Sequence, residues 1–485
     1  MAHRSPKELI QLYWTEVWNN RNVEMIRELC ADPIIRHDPG STTPLSLEDQ
    51  IARVRQQSEK LEPFFEHEVL LADDEYVTSV WNMHTRKGER VELCGIEVFR
   101  AKDGKFTDCW NSSYVAGRWG REGDAAVPDN LPPPGLIASV DGVTPAWLQS
   151  LFQHAGLDMP RVSMASAEAI GHGNLSATYR VAITYNANAA EAVNSVVCKL
   201  TPLVAQTVQQ AADAGVHARE VAAYQLFGDT PPLNVPRAFL AKVSEDNRLL
   251  NLVMEDLTGR TRSGNQLTGC SAEEARAVVA EFAKLHTAYW GAPALEADWL
   301  LGRAATADTA AESYASGADI FRARFEGRVD ARILDAMDSW RDKVAGWTRD
   351  NVGTQTLIHG EPRVDNILFE DRADGVAAWL IDWQFADRGC PMFDVAYFMA
   401  GSLDSPVRKG CEDALIAAHH AAVAGVAPDW TLEAARKAYA DALPFALFTT
   451  VGAANVLAAG EHEDKLLLTL LTRNVAALGD WGMLG

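Results

Sequence analysis

The chain is poor in positive charge. Over 485 residues, 44 lysines and arginines stand against 66 aspartates and glutamates, a formal net charge of −22. An acidic excess of that size repels phosphate backbones and anionic lipid, which sets aside nucleic acid and membrane surfaces as partners. Cysteine is scarce as well: the seven copies are odd in number, widely spread and include no Cys-x-x-Cys pair. Neither a disulfide framework nor a zinc site is expected, and free thiols in a reducing cytoplasm are. The twelve histidines contain no His-Glu-x-x-His spacing, and Gly104-Lys105 is followed by Phe106 rather than Ser or Thr, so there is no Walker A loop. The polar start, residues 1–7, shows no signal peptide. The uncharged run at 442–460 nears the length of a bilayer span, but it holds Pro444, Thr449, Thr450, Gly452 and Asn455. It reads as a buried helix of a soluble core.

What is present is globular material, 47% hydrophobic and 23% charged, in a chain too long for one core, so two or three folding units are expected. Ser5-Pro6-Lys7-Glu8 is a capping box with proline at the first helical position, and Leu9, Ile10, Tyr13 and Val17 form one apolar face behind it. Further helices are predicted near Val23 and after Ser46. The period then changes to strands over 69–72, 76–85, 90–100 and 105–114, with Asp103-Gly104 as a hairpin turn. Helices followed by a meander suggest an α+β domain with a curved sheet. Residues 120–134, with Pro128 and three consecutive prolines at 132–134, form a linker. Beyond it the pattern predicts a helix at 147–155, strands at 165–171, 178–185 and 195–200, a helix at 216–226 and a strand at 249–254. The chain is then mainly helical, interrupted by strand-like runs at 366–369 and 377–381. A β-rich lobe joined to a helical lobe is a kinase-like plan.

Chemistry concentrates in His359-Gly360-Glu361-Pro362-Arg363-Val364-Asp365-Asn366, with Ile381-Asp382-Trp383-Gln384 one turn and one strand later. Phosphoryl transfer needs a carboxylate to orient or deprotonate the attacking hydroxyl, and oxygen ligands for Mg²⁺ on the ATP phosphates. Glu361 as base with Asn366 and Asp382 as ligands meets those needs in order and spacing. Gly171-His172-Gly173-Asn174-Leu175-Ser176 lies between two predicted strands, where glycines let backbone N–H groups approach phosphate. Lys199 sits in the apolar run Val196-Val197-Cys198-Lys199-Leu200, a costly place unless paired, and Glu220 in the next helix is its natural partner.

The catalytic pair resembles the His-Gly-Asp-x-x-x-x-Asn loop and Ile-Asp-Trp metal motif of aminoglycoside phosphotransferases. It is also similar to the choline- and ecdysteroid-kinase-like branch, through Asp382-Trp383-Gln384, Arg388-Gly389 and Asp394-Val395-Ala396-Tyr397-Phe398. The resemblance covers about residues 137–485. It implies a bilobal kinase-like fold, ATP and Mg²⁺ as cofactors, and a small-molecule hydroxylated acceptor. It makes Gly171, Gly173 and Ser176 the phosphate-covering loop, Lys199 the phosphate contact and Glu220 its positioner. The segment around Glu255 becomes the hinge that holds adenine, and His359 and Asp394 become braces of the catalytic loop. One position departs from the pattern: Glu361 stands where aspartate is usual.

The first 120 residues resemble the SnoaL-like, nuclear-transport-factor-2-like cone fold. The carriers are Arg36-His37-Asp38-Pro39, Gly95-x-Glu97-x-Phe99 and Asp108-x-Trp110. That resemblance implies a small-molecule pocket, lined here by His37, His84, Asp108 and Trp110, with His37 and Asp38 as candidate acid and base. The expected organisation is a SnoaL-like domain at 1–120, a linker at 121–136 and a phosphotransferase at 137–485, with lobes meeting near 256. The oligomeric state, a homodimer included, stays open. So do two other functions: a nucleotide-binding kinase fold without transfer, and an enzyme whose chemistry lies in the N-terminal pocket.

Overall fold

A computed structural model describes residues 4–88, 91–112, 114–119, 130–171, 175–186 and 192–484. It contains two compact units. One comprises Met1–Gly135, Val140–Glu168 and Val181–Ser195, and the other Leu136–Ser139, Ala169–Arg180 and Val196–Gly485.

In the first unit the Ser5/Glu8 capping box forms as its spacing dictates, opening the Pro6–Leu12 helix. The helix continues as a wider turn over Tyr13–Asn19, and Leu9, Ile10, Tyr13 and Val17 are all buried. The Leu47–Leu61 helix starts on Ser46, whose side chain accepts from the Asp49 N–H. The curved sheet runs in the order Ser41–Leu45, Cys30–Asp38, Lys105–Asn111, Glu92–Lys102, Tyr76–Thr85, Pro63–Ala72, with Val115–Ala116 on Glu92–Lys102. Cys30–Asp38 and Lys105–Asn111 lie parallel. Asp103 and Gly104 both take positive φ, 54° and 73°, so Lys102 and Lys105 pair across a tight hairpin. Two strands, Cys30–Asp38 and Ser41–Leu45, stand between the predicted helices, where the sequence pattern placed no strand.

In the second unit, residues 196–200 of the Ser195–Leu200 strand pair antiparallel with Leu250–Glu255, which pairs with Ala238–Val243. The Val216–Phe227 helix follows the first of these strands in sequence. Two small sheets flank the His359–Asn366 and Asp382–Gln384 segments: Arg262–Ser263, Ile367–Arg372 and Gly375–Leu380 form one, Thr356–Ile358 and Asp387–Gly389 the other. The long helices Ala272–Tyr289, Ala307–Phe325, Pro391–Ser402, Ser405–Val423, Leu432–Ala453 and Glu461–Asp480 contribute to one apolar core with those sheets. The fold class is α+β, a SnoaL-like cone and a kinase-like pair of β-rich and helical lobes. The first part of the uncharged run, 442–453, falls in the Leu432–Ala453 helix, which keeps Pro444 inside it, and 454–460 lie beyond its end. Among the described residues no helix is long and apolar enough to cross a membrane. All seven cysteines are free.

Candidate active site

The turn that opens at His359 follows the Thr356–Ile358 strand. Gly360 has φ +83°, and a Cβ there would lie 1.9 Å from the Phe385 carbonyl oxygen, so only glycine fits. Asp394, in the first turn of the Pro391–Ser402 helix, is fully buried. Its carboxylate accepts from the His359 N–H at 2.7 Å, the Gly360 N–H at 3.1 Å and the His286 ring at 3.2 Å. Backbone donors at that spacing fix the turn in one shape. His359 donates through Nε2 to the Ile381 carbonyl at 3.0 Å, and burial pulls its pKa down, so it stays a neutral brace between the two motifs.

That brace brings the sequence-predicted residues together. Asn366 closes the short Val364–Asn366 turn and donates through Nδ2 to the Glu361 carbonyl at 3.0 Å. Its own carbonyl accepts from the Ile381 N–H at 3.0 Å, one residue before Asp382. Asp382 takes φ +69°, a left-handed conformation that a non-glycine residue holds only under constraint. The constraint is visible: Lys199 Nζ is 2.8 Å from Asp382 Oδ1 and 2.8 Å from Glu220 Oε1, and Gln384 Nε2 donates to Asp382 Oδ2 at 3.1 Å. Lys199 and Glu220 are both buried.

The charges answer to this packing. Burial alone would raise Asp382, but the Lys199 ammonium, with Arg363 beyond it, holds its pKa below the usual carboxylate range. Burial would lower Lys199; Asp382 and Glu220 outweigh it, so the lysine stays charged. Glu220 is pushed up by burial, and so is Glu361, whose partial neutralisation by Arg363 at 3.8 Å does not cancel the effect. A carboxylate with a raised pKa is a stronger base than a free one.

A Mg²⁺ ion fits what is present. Among the described residues no three His, Cys, Asp or Glu side chains gather at ligand spacing. The protein ligands would be Asp382, held ionised, and Asn366, whose amide oxygen is left available by the Nδ2 bond. Phosphate oxygens and water complete such shells.

The remaining predicted residues divide. Gly171 has φ +75° and Ser176 is buried just before the Ala177–Tyr185 strand. Gly173, with His172 and Asn174, lies outside the described residues. The adjoining loop is tied to the Val216–Phe227 helix by His217 and the Leu175 carbonyl at 2.8 Å. Glu255 stands apart from the lysine network: its side chain pairs with Arg260 at 3.2 Å, and its N–H is donated to the Arg237 carbonyl at 2.8 Å, leaving no donor there for a base edge. Two neighbours of Glu361 were not singled out from the sequence. Arg363 was readable as a cation two residues past Glu361. Tyr397 is buried within electrostatic range of Glu361, Arg363 and Arg303, and nothing local in the sequence signals that meeting.

In the first unit the expected pocket lining is corrected by one residue of strand parity. A cavity of about 150 Å³ is lined by Arg36, Trp81, Glu97, Asn111 and Tyr114 among others, not by His37, His84, Asp108 or Trp110. Successive side chains of a strand face opposite ways. Arg36 therefore points in, while His37 stacks on Trp110 at 4.6 Å and bonds Asp108 at 3.1 Å on the other face. His84 packs against Phe64 at 5.3 Å. Inside, Glu97 accepts from the Tyr114 hydroxyl at 3.1 Å, and burial pushes its pKa up to about 7.

The profile of the phosphotransferase enzyme family matches residues 166–477, and that of the SnoaL-like domain residues 11–109. No curated protein matches the chain. Solved structures with some likeness include an LEH-like epoxide hydrolase from M. tuberculosis, at 14% identity over 23% of this chain and 82% of that one, TM-score 0.21. An NTF2-like protein from Cytophaga hutchinsonii has 11% identity over 24% and 95%, TM-score 0.19.

Proposed function

We propose, from the premise that this chain belongs to the phosphotransferase enzyme family, that it transfers the γ-phosphate of ATP to a hydroxyl group of a small molecule. The observation that carries this is the convergence of Lys199, Glu220 and Asp382 at 2.8 Å contacts, joined through Ile381 and Asn366 to the Glu361 turn. Asp382-Trp383-Gln384 and the Asp394 brace favour the choline- and ecdysteroid-kinase-like branch.

Mg²⁺, when bound, supplies charge neutralisation for the phosphates. Asp382 and Asn366 would hold it, and Lys199, kept charged by Glu220, contacts the α/β-phosphates. The glycine loop at 171–176 covers them. Glu361 takes the proton of the acceptor hydroxyl as its oxygen bonds the γ-phosphorus. The bond from that phosphorus to the β–γ bridging oxygen breaks, and ADP leaves with the electron pair. The site is built from one stretch of chain, 137–485 in our assignment, that works in the cytoplasm behind the proline-rich linker. Limited proteolysis cutting elsewhere than 120–134 would refute that boundary.

The test is ADP release from Mg·ATP against a library of hydroxylated metabolites, with Asp382→Ala as the blank. Acceptor-dependent ADP formation by the wild type alone is expected. Mg·ATP binding without transfer to any member would make the protein a nucleotide-binding regulator. Turnover by residues 1–120 alone would move the main chemistry to the other unit.

A further inference from the structure

The first unit encloses a cavity that the proposed phosphotransfer does not use. Its volume is about 150 Å³. An apolar cavity of that size accommodates one benzene-sized ring. Trp14, Trp18, Phe65, Trp81 and Phe99 supply its aromatic walls. The Trp14 and Phe65 rings lie 4.3 Å apart, and Phe65 and Trp81 5.2 Å apart, so the walls are packed on one another and keep a fixed shape. Such walls around so small a space select a flat apolar body.

The polar side of the cavity carries a surplus of positive charge. Arg53 lines it from the Leu47–Leu61 helix. Arg53 Nε donates to Gln50 Oε1 at 3.3 Å, and Gln50 Nε2 donates to the Tyr13 hydroxyl at 2.7 Å. The guanidinium also lies 5.7 Å from the Trp18 ring centroid. These contacts hold Arg53 in place, yet among the described residues no carboxylate pairs with it. Arg36 differs, because Asp38 neutralises it at 2.8 Å. Arg36 donates to the Tyr114 hydroxyl at 3.3 Å, and that hydroxyl donates to Glu97 Oε1 at 3.1 Å. The other Glu97 oxygen has no partner among the described residues, and Glu97 lines the cavity. Asp38 accepts from Asn111 at 3.1 Å, and the Cys109 thiol donates to the Asn111 side-chain oxygen at 3.2 Å. Burial pushes the Tyr13, Tyr114 and Cys109 pKa values up, so all three stay neutral. With Glu97 protonated, Arg36, Arg53 and Asp38 leave one unbalanced positive charge.

We propose that this cavity binds a single-ring carboxylic acid as its anion, with the ring among the tryptophans and the carboxylate on Arg53. A guanidinium fork receives a planar carboxylate well, and a cation would meet Arg53 with no free carboxylate to balance it. Glu97 sets the condition for binding. It lines the same space, about one ring wide, and lies within electrostatic range of Arg53. Ionised, it would repel the anion; protonated, it offers the anion a donor. Burial pushes its pKa up to about 7, against the pull of Arg36 and Arg53, so the receptive form is present near neutrality. Affinity for the anion should therefore fall as pH rises through about 7.

The test is titration calorimetry on the full-length chain with three ring ligands of similar size: benzoate, benzamide and benzylamine. At about pH 6 benzoate should bind, benzamide more weakly and benzylamine least. Arg53→Met should weaken benzoate by about ten-fold or more, the usual worth of a charge-assisted contact, and leave benzamide nearly unchanged. Arg53→Lys should recover part of that loss. From about pH 6 to about pH 8 the protonated share of a group with a pKa of about 7 falls about ten-fold, and benzoate affinity of the wild type should fall with it. Glu97→Gln, uncharged at every pH, should bind benzoate without that dependence, and it decides the matter if Arg53→Met does not fold. Failure of benzoate to bind, or equal or tighter binding of benzamide or benzylamine, would overturn the proposal. So would an unchanged affinity in folded Arg53→Met, or a pH dependence that survives in Glu97→Gln.

Discussion

At Glu361 two effects compete. The side chain reaches one C–C bond further than aspartate would, roughly 1.5 Å, enough to cost orders of magnitude if the acceptor were placed for the shorter residue. Against this, burial raises its pKa, which strengthens it as a base. If the pocket is shaped to glutamate, Glu361→Gln should lower kcat by about 10²–10⁴-fold with little change in KM for ATP, and Glu361→Asp should also slow turnover. The base must be ionised, so kcat/KM should fall as pH drops through a pKa above the ordinary carboxylate value. That acid limb should vanish in Glu361→Gln; pH profiles of both proteins decide it. Full activity in Glu361→Gln would remove the base role. Glu97 in the other unit gives a stability counterpart. Its folded pKa of about 7 lies above the unfolded value, so the folded state holds a proton that the unfolded state releases. The resulting stabilisation is complete below the unfolded pKa and is lost as pH rises through about 7, on the order of 3 kcal/mol. Thermal melts at pH 5 and pH 8 should therefore differ less in Glu97→Gln than in the wild type.

The turn from His359 to Asn366 is where local sequence and element geometry agree. Gly360→Ala would force a Cβ to 1.9 Å from the Phe385 carbonyl at φ +83°. It should cost at least about 1–3 kcal/mol and abolish transfer; a melt and an activity assay read both, and a variant of wild-type stability would refute the close approach. This turn was legible in the sequence because its chemistry is packed into eight residues, His359 to Asn366, with Asp382 one hairpin away. Lys199 and Glu220 were legible because a charge in an apolar strand demands a partner. Other elements hid for physical reasons. The Cys30–Asp38 strand carries Asp32-Pro33 in its middle, which reads as a break. Missing it reversed the expected facing of Arg36 and His37. Ala238–Val243 alternates too weakly to announce itself. Arg303 meets Phe393 and Phe445 across 90 and more residues of chain, through helix packing that no local pattern encodes.

For the whole molecule, the acidic surplus and the buried Lys199 act at different ranges. A net charge of −22 repels anionic ligands at long distance, screened within about 10 Å at moderate salt, whereas a buried ammonium such as Lys199 acts only in contact. The long-range field bears on how fast such ligands arrive, and the buried cation on what is held. All of this depends on one claim: that Asp382, kept ionised beside Lys199, is the carboxylate through which nucleotide and metal are bound. Titration calorimetry of ATP into the full-length chain, with and without Mg²⁺, and into Asp382→Asn, tests it directly. The wild type should bind ATP in a Mg²⁺-dependent manner, and folded Asp382→Asn should lose that dependence together with the affinity. Equal Mg·ATP affinity in the two folded proteins would contradict the account.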